Sequence, residues 1–273
     1  MILPPDHEAA LAELSLEPPP RIYKFMSWAH LEPLLKGRGL HFQSPSEFND
    51  PFDCSPRVVV PQTRAAIQLR LKQDRERVRG GGDESVADET LNRLRRLSPK
   101  QLKFAALMDW HQMVSGYGMT CFAEQADHPL MWSHYADSHR GVCVEFDPSA
   151  LPKGQTYLTI KVIYRDHRAD FHFPKGKRVD RRLDVLRVLN TKGRTWEHEK
   201  EWRIVRMSGA DTTVVLPANA ITSVILGARS RDQDRERLSG WLSEGFPEAR
   251  VVEASLDLDG FSISVPLEKP GHP

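Results

Sequence analysis

Two glutamates separated by one residue, Glu199 and Glu201, are the strongest candidates for chemistry in this sequence. Residues two apart in a β-strand point to the same face, so a strand beginning at Glu199 would place both carboxylates beside Arg203. Two like charges this close raise the pKa of one carboxyl group, and the guanidinium opposes that rise. One carboxylate could then grip a sugar or stabilise positive charge while the other transfers a proton. The alternative is a salt-bridged strand edge without catalytic function.

A second group of polar and aromatic residues lies in the segment MWSHYADSHRG, which is helical in character. Trp132 and Tyr135 fall on one face of such a helix, and an aromatic face could stack on a planar ligand. We expect Trp132 to belong to the core. Hydroxyl and imidazole groups need hydrogen-bond partners when buried, so at least one of Ser133, His134 and Tyr135 is expected in a pocket.

The segment FNDPFD predicts a loop with a stiff backbone. Asn49 and Asp50 can close turns through their own side chains, and Pro51 fixes the backbone that follows. A rigid turn is the structural interpretation. Loops that hold polar groups stiffly also bind ligands, so Asn49 and Asp50 are candidates to orient a ribose or an amide.

The elements that must position these residues mix helices and strands without a regular βαβ repeat. Alternating strands are expected at RIYKFMS, YGMTCFAE, GVCVEFD and YLTIKVIYRD, and again at EWRIVRM and SVILGA. RRLDVLRVLNTKGRTWEHEK predicts a helix that ends near Gly193. No glycine-rich phosphate loop follows a strand, so the sequence predicts an α+β fold with a central, mostly antiparallel sheet and flanking helices. We expect a proline-rich arm at 1–20 and a single domain at 21–268 with a helical insertion at 62–115.

Composition and charge are those of a globular protein. The chain has 273 residues, 27% of them charged, and a formal net charge of +1. Three cysteines cannot all pair, no apolar run could span a bilayer and no signal peptide is evident, so we expect a cytoplasmic location and no membrane partner. Between Lys161 and Arg206 there are 14 Lys and Arg against 7 Asp and Glu. This local surplus of positive charge could bind the phosphates of a dinucleotide or a nucleic acid. The alternative is that these cations simply form the solvated face of a helix.

Several motifs together resemble a bacterial family of proteins of unknown function, family 2971 (DUF2971). They are LHFQSPSEFNDPFDC, TCFAE, MWSHYADSHRGVCVEFD, WEHEKEWRIV and VILGA, in this order. The resemblance extends over residues 21 to 265. The family itself implies no activity.

A shorter likeness suggests a reaction. The opening RIYKF…HLEPLLKGRGLHF is similar to the start of ADP-ribosyltransferase folds, and Glu199-Lys200-Glu201 has the spacing of their catalytic Glu-x-Glu pair. The likeness implies NAD as substrate, Glu201 as the catalytic carboxylate and Glu199 as its support. The reaction would be ADP-ribosyl transfer to a protein or nucleic-acid acceptor, or NAD hydrolysis, in a toxin or defence effector. The residues implied to bind NAD are Tyr23, Lys24, Asn49, Asp50, Ser133, His134, Tyr135 and Arg203. Arg21 is the alternative if neither Tyr23 nor Lys24 occupies the NAD-binding position of the first strand.

Two other functions remain open. The first is a nucleotide-binding or interaction module without turnover. The second is a metal-dependent nuclease whose ligands would be Asp50, Asp53, His134 and Glu201, although neither His-Glu-x-x-His nor Cys-x-x-Cys occurs. Cys143 lies in an apolar strand and is expected in the core.

Overall fold

A computed structural model describes residues 12–13, 15–78, 92–174 and 181–266. Contacts within the chain form two compact units. The first, which we call the sheet unit, comprises Ser15–Ser44, Gly116–Val162 and Thr195–Pro273. The second, the helical unit, comprises Met1–Leu14, Pro45–Ser115 and Ile163–Arg194. Residues 1–11 and 14 of the expected arm, and 79–91 of the expected insertion, lie outside the described residues.

The sheet unit is built on seven strands. They are β1 (Ile22–Met26), β4 (Gly118–Ala123), β5 (Val142–Phe146), β6 (Tyr157–Lys161), β10 (Glu201–Arg206), β12 (Ile221–Leu226) and β13 (Arg250–Glu253). Their order across the sheet is β13-β12-β5-β1-β4-β10-β6. Every neighbouring pair is antiparallel except β12 and β13, which are parallel. The predicted α+β class and mostly antiparallel sheet are therefore confirmed.

Apolar side chains are buried on both faces of this sheet, so both faces need a cover. Helices α1 (Trp28–Lys36) and α6 (Asp232–Gly245) cover one face, which contains Val144 and Trp202. Helix α4 (Pro129–Tyr135) contributes to the cover of the other, which contains Phe25 and Cys143. Two smaller pairs complete the unit: β2 (Gly39–Phe42) with β11 (Thr212–Val215), and β14 (Ser255–Leu256) with β15 (Ile263–Ser264).

The helical unit contains the helices predicted within 62–115. Its elements are β3 (Arg57–Val59), α2 (Arg64–Val78), α3 (Pro99–Val114), β7 (Ile163–Arg165), β8 (Asp170–His172), α5 (Arg181–Leu189) and β9 (Thr191–Gly193). Ser98 and Gln101 form a capping box that starts α3. Buried Trp110 of α3 donates its indole hydrogen to the Cys54 carbonyl at 2.8 Å. None of the helices in the described ranges has the length and apolarity of a membrane span.

Two predicted elements are wrong in extent. The strand expected over YLTIKVIYRD is divided, because the Val162 amide donates to the Glu201 carbonyl whereas the next amide, of Ile163, donates to Asn190. The helix expected to end near Gly193 stops at Leu189, since Thr191–Gly193 pairs with β7 as a parallel strand. In both cases pairing distant in sequence overrides a local pattern.

The sheet unit is interrupted twice by stretches that belong to the helical unit. The first interruption, 45–115, leaves after β2 and returns before β4. At that point Gln43 and Met119 exchange two backbone hydrogen bonds, of 2.9 and 2.8 Å. The second, 163–194, leaves after β6 and returns before β10, where Lys161 pairs with Trp202. Each interruption thus leaves and re-enters between neighbouring antiparallel segments.

Candidate functional site

A row of paired residues crosses one face of the main sheet from β12 to β10. It includes residues of β1 and β10, the two strands whose side chains the sequence singled out. Tyr23 of β1 is paired with Glu145 on one side and with Ala123 on the other. Ala123 is in turn paired with Glu201, and Glu145 with Ser223. Directly paired residues point to the same face. We call Ser223, Glu145, Tyr23, Ala123 and Glu201 the polar row.

Glu145 is the centre of the first half of the polar row. Its carboxylate is buried and accepts hydrogen bonds from the hydroxyls of Tyr23 at 3.3 Å, Thr222 at 2.5 Å and Ser223 at 3.3 Å. The Arg21 guanidinium lies 3.6 Å away and offsets part of its charge. Burial, followed by the negative charge of Glu145, raises the pKa of the Tyr23 phenol, so the phenol remains a hydrogen-bond donor.

Glu201 is the other end of the row and forms a bidentate ion pair. The Arg203 guanidinium donates from Nε to Oε1 at 2.7 Å and from Nη2 to Oε2 at 3.1 Å. Glu201 is 4% exposed and Arg203 is 0% exposed. The predicted shared face of Glu201 and Arg203 is confirmed. The two parallel hydrogen bonds compensate the charge of the buried carboxylate.

Glu199 does not share that strand face, so this part of the prediction is wrong. Strand β10 begins at Glu201, and Glu199 is the last residue of a 3₁₀ turn, Arg194–Glu199. Between them Lys200 has a left-handed backbone with φ 44°. This reversal breaks the two-residue alternation that the spacing had suggested.

Glu199 is instead bound by Tyr135, the last residue of α4. The Tyr135 hydroxyl donates to Glu199 Oε1 at 2.6 Å, and the carboxylate is buried. Tyr135 packs against the same apolar cluster as Tyr23, a cluster that includes the buried Trp132. Trp132 is fully buried and donates its indole hydrogen to the Ala126 carbonyl at 2.6 Å, which confirms its core role.

Aromatic rings gather beside this hydrogen bond. His128 and His198 are stacked with centroids 5.3 Å apart, and His134 lies edge-on to His198 at 6.3 Å. Trp196 is tilted against His198 at 6.2 Å. We call these four residues the ring cluster. His134 is exposed and the other three are half-buried, so the ring cluster is only partly open to solvent. Ser133 is exposed.

A strained turn holds Tyr135 in place. After α4 the backbone passes through three successive left-handed residues, Asp137, Ser138 and His139, with φ of 45°, 54° and 70°. Such a run is unfavourable for residues with a side chain and persists only when its surroundings impose it. Gly141 ends the turn, and a Cβ there would lie 2.4 Å from the Met26 carbonyl oxygen. The turn therefore fixes the end of α4 against β1.

Lys24 points to the opposite face of the sheet from the polar row. Its ammonium donates to the Cys121 carbonyl at 3.0 Å and lies 5.5 Å from the Phe122 ring centroid. Burial lowers the pKa of Lys24, and Cys121 and Glu201 nearby partly oppose that shift. The structure therefore gives Lys24 a position under the sheet rather than in line with Tyr23.

The same opposite face borders a cavity of about 360 Å³. Lys161 and the indole of Trp202 both donate to Glu124 Oε1, at 2.5 and 2.7 Å. The wall of the cavity includes Leu16, Pro19, Glu124, Gln125, Lys161 and Trp202. Trp202 follows Glu201 on β10, so adjacent residues of one strand serve opposite faces.

Asn49 and Asp50 belong to the helical unit, where the predicted rigid turn is confirmed. Asp50 is buried, and its Oδ1 accepts the Phe52 amide at 2.9 Å. Asp53 is also buried and lies 3.5 Å from Lys192. Within the described ranges no three His, Cys, Asp or Glu side chains are grouped as metal ligands, so the proposed nuclease set of Asp50, Asp53, His134 and Glu201 does not assemble there.

Ion pairs offset part of the basic surplus between Lys161 and Arg206, because Glu124, Glu13 and Asp53 lie outside this stretch and pair with three of its cations. Acidic partners lie within 4 Å of five of these cations: Lys161 with Glu124, Arg165 with Glu13, Lys192 with Asp53, Arg194 with Asp166 and Arg203 with Glu201. Paired cations contribute less to binding a polyanion than unpaired ones. The surplus is thus smaller than the sequence count suggested.

Two parts of the site were missed by sequence reasoning. Glu145 is the one charged residue in the otherwise apolar strand VCVEF, which is buried at every position. A charge inside such a strand is a signal for a buried polar cluster. His198 and Trp196 precede the Glu-x-Glu pair directly, but the 3₁₀ turn that places them beside α4 leaves no local pattern.

Comparison with known families gives one match. Residues 131–204 match the model of a family described as a protein of unknown function (DUF2971), which confirms the predicted resemblance over that range. The matched segment includes Tyr135, Glu145, Glu199, Glu201 and Arg203. No curated protein and no solved structure matches the chain. The likeness to ADP-ribosyltransferases stays a prediction.

Proposed function

We propose that the protein binds NAD in the cytoplasm at the sheet unit and breaks its nicotinamide–ribose bond, as an ADP-ribosyltransferase or NAD glycohydrolase. The observation that carries the proposal is the juxtaposition of Tyr23, Ala123 and Glu201 along the polar row. The small Ala123 side chain separates a phenol from an ionised carboxylate by one strand. That spacing suits a ribose held between a hydrogen-bond donor and an anion.

The reaction needs a negative charge beside the ribose. When the bond between C1′ and nitrogen breaks, its electron pair leaves with nicotinamide and the ribose becomes oxocarbenium-like. A buried carboxylate stabilises that cation more strongly than one in water. Water or an acceptor then forms the new bond to C1′ and loses its proton to a carboxylate. In this scheme Glu201 stabilises the cation.

Glu199 is the better candidate for the proton. One of its partners is the neutral Tyr135 hydroxyl, which donates to Oε1 at 2.6 Å. The ring cluster beside it supplies flat surfaces for nicotinamide or adenine. Both carboxylates are 4% exposed, so NAD reaches them only when the turn Arg194–Glu199 moves.

The second candidate function is nucleotide binding without turnover. One observation favours it: both Glu201 oxygens accept hydrogen bonds from Arg203, which competes with ribose hydroxyls for the same lone pairs. A protein of this kind would bind NAD at the ring cluster and release no nicotinamide.

Nicotinamide release separates the two functions. Purified protein is incubated with NAD, nicotinamide is quantified by chromatography, and NAD binding is followed by tryptophan fluorescence. We expect release by the wild type, with at least roughly a hundredfold loss in Glu201→Gln and Glu199→Gln. Glu197→Gln is the matched control, because Glu197 is an exposed carboxylate of the same 3₁₀ turn.

Each outcome decides between the functions. NAD binding without release supports the non-catalytic module and overturns the enzyme. Release that is equal in all three variants removes the carboxylates from the mechanism. Absence of both binding and release overturns the two candidate functions together.

A further inference from the structure

The hairpin formed by β14 and β15 presents large apolar side chains entirely to solvent. Leu258 is 98% exposed and Phe261 is 105% exposed, the highest values among the exposed large apolar side chains of the described chain. Leu256, in the same hairpin, is 51% exposed. Single exposed apolar residues are ordinary, but three in one short hairpin form a patch that water solvates poorly.

The hairpin is ordered by its own hydrogen bonds. The Asp257 carboxylate accepts the amides of Asp259 at 2.9 Å and Gly260 at 3.1 Å, and the Ser262 hydroxyl at 2.7 Å. These bonds lower the pKa of Asp257, which therefore stays ionised. At the base of the hairpin Ile263 is buried in the apolar cluster of the sheet unit. The apolar tip is thus held in one conformation before any partner binds.

The strand that leads into the hairpin is the last strand of the main sheet. Among the described residues, β13 is paired only with β12. The Ala254 amide donates to the Leu226 carbonyl, so residues 250, 252 and 254 direct their backbone groups towards β12. Because backbone direction alternates along a strand, Val251 and Glu253 direct theirs away from the sheet. This edge can accept another strand.

We propose that two copies of the chain associate through this edge, β13 against β13, with the hairpin of each covering the other. A two-fold axis through Val252 makes the strands antiparallel and sets the outward groups of Val251 and Glu253 opposite each other, as an antiparallel ladder requires. The same register places Arg250 of one copy opposite Ala254 of the other. Arg250 then meets the start of the acidic hairpin.

Charge selects a second copy over a membrane as the occupant. Asp257 and Asp259 belong to the turn that carries the apolar tip, and an anionic lipid surface repels such a group, whereas Glu253 in β13 is already paired with Arg235. In the two-fold register each acidic hairpin faces an Arg250. The apolar tip, the outward edge and the complementary cation therefore all lie within residues 250–264, as a self-complementary contact needs.

Sedimentation velocity over a range of protein concentrations tests the proposal. We expect a mass that rises with concentration from 31.1 kDa to twice that value. Leu258→Asp with Phe261→Asp should raise the dissociation constant by roughly tenfold or more. Val251→Pro should do the same, because it removes an outward amide that β12 does not use. Val215→Asp is the control, since Val215 is 65% exposed on β11.

A charge exchange distinguishes this interface from non-specific association. Arg250→Glu should weaken the dimer, and adding Asp259→Lys should restore it; Asp257 is left unchanged because it builds the turn. Circular dichroism confirms that each variant is folded. A mass of 31.1 kDa at every concentration, or a dimer that survives the hairpin and edge variants, overturns the proposal. Weakening by Val215→Asp equal to that of the hairpin variant also overturns it.

Discussion

Removing the negative charge of Glu201 should destabilise the protein strongly, independently of any effect on activity. Glu201→Gln keeps the shape of the side chain and one carbonyl oxygen for Arg203, but it removes the negative charge that forms a bidentate pair with a guanidinium that is 0% exposed. Breaking a buried ion pair by removing one partner costs about 3–5 kcal/mol. Because the glutamine retains one oxygen for Arg203, we expect a loss of about 3 kcal/mol in the free energy of unfolding, at the lower end of that range.

Thermal and urea unfolding measure that loss. For a chain of this size each kcal/mol shifts the melting temperature by roughly 2–4 °C, so we expect a decrease of roughly 6–12 °C. Far-UV circular dichroism follows the transition, and urea midpoints give the free energy of unfolding. Glu197→Gln, in the exposed part of the preceding turn, should leave both quantities unchanged within about 0.5 kcal/mol.

A second substitution identifies the cause. The double variant Glu201→Leu with Arg203→Met removes both buried charges, and it should be clearly more stable than Glu201→Gln, because apolar replacement of a buried pair is close to neutral. The reasoning fails if Glu201→Gln alone lowers stability by less than about 1 kcal/mol, the range of a solvent-exposed pair. It also fails if the double variant is less stable than the single one.

Three further predictions concern single side chains. Tyr135→Phe removes the 2.6 Å bond to the buried Glu199 and should lower the free energy of unfolding by about 1.5–3 kcal/mol in urea titration, whereas Ser133→Ala, at an exposed neighbour, should not. In an alkaline titration of tyrosine absorbance at 295 nm, Tyr23→Phe should remove a transition that lies above the ordinary tyrosine range. Because the pKa of Tyr23 is raised in the folded protein, its contribution to stability is complete below about pH 10 and is lost as the pH rises further. A Tyr23→Phe variant with the wild-type titration curve would contradict this assignment. Burial raises the pKa of the Cys143 thiol, so a thiol reagent at pH 8 should label Cys143 only after denaturant is added, and labelling of Cys143 in the native protein would show that β5 opens.

The sequence was sufficient for elements whose pattern is local. β1, β5 and β10 are short runs rich in β-branched and aromatic residues, and Ser98-Pro99 marks the start of α3 by its own capping chemistry. The three-residue strands β3 and β8 carry no such pattern, because each exists only through its parallel pairing with the other, 113 positions away along the chain.

The candidate site divides in the same way. Glu201 and Arg203 could be paired from their spacing, since both lie in one strand. Tyr23 and Glu145 are 122 positions apart, and they meet only because β1 and β5 are neighbours in the sheet. Glu199 was misplaced for a different reason: a single left-handed residue, Lys200, reverses the backbone at a position where the sequence has no glycine.

The two interruptions of the sheet unit have a consequence for gene design and for synthesis on the ribosome. Since each begins and ends between neighbouring antiparallel segments, a shortened gene that joins β2 to β4 and β6 to β10 through tight turns would keep every strand pair of the main sheet. In the full-length chain, by contrast, β4 must wait for its outer neighbour β10 until the stretch 163–194 has been translated. Nascent chains arrested before residue 201 should therefore lack protection of those β4 amides that bond to β10, and chains released after residue 206 should gain it.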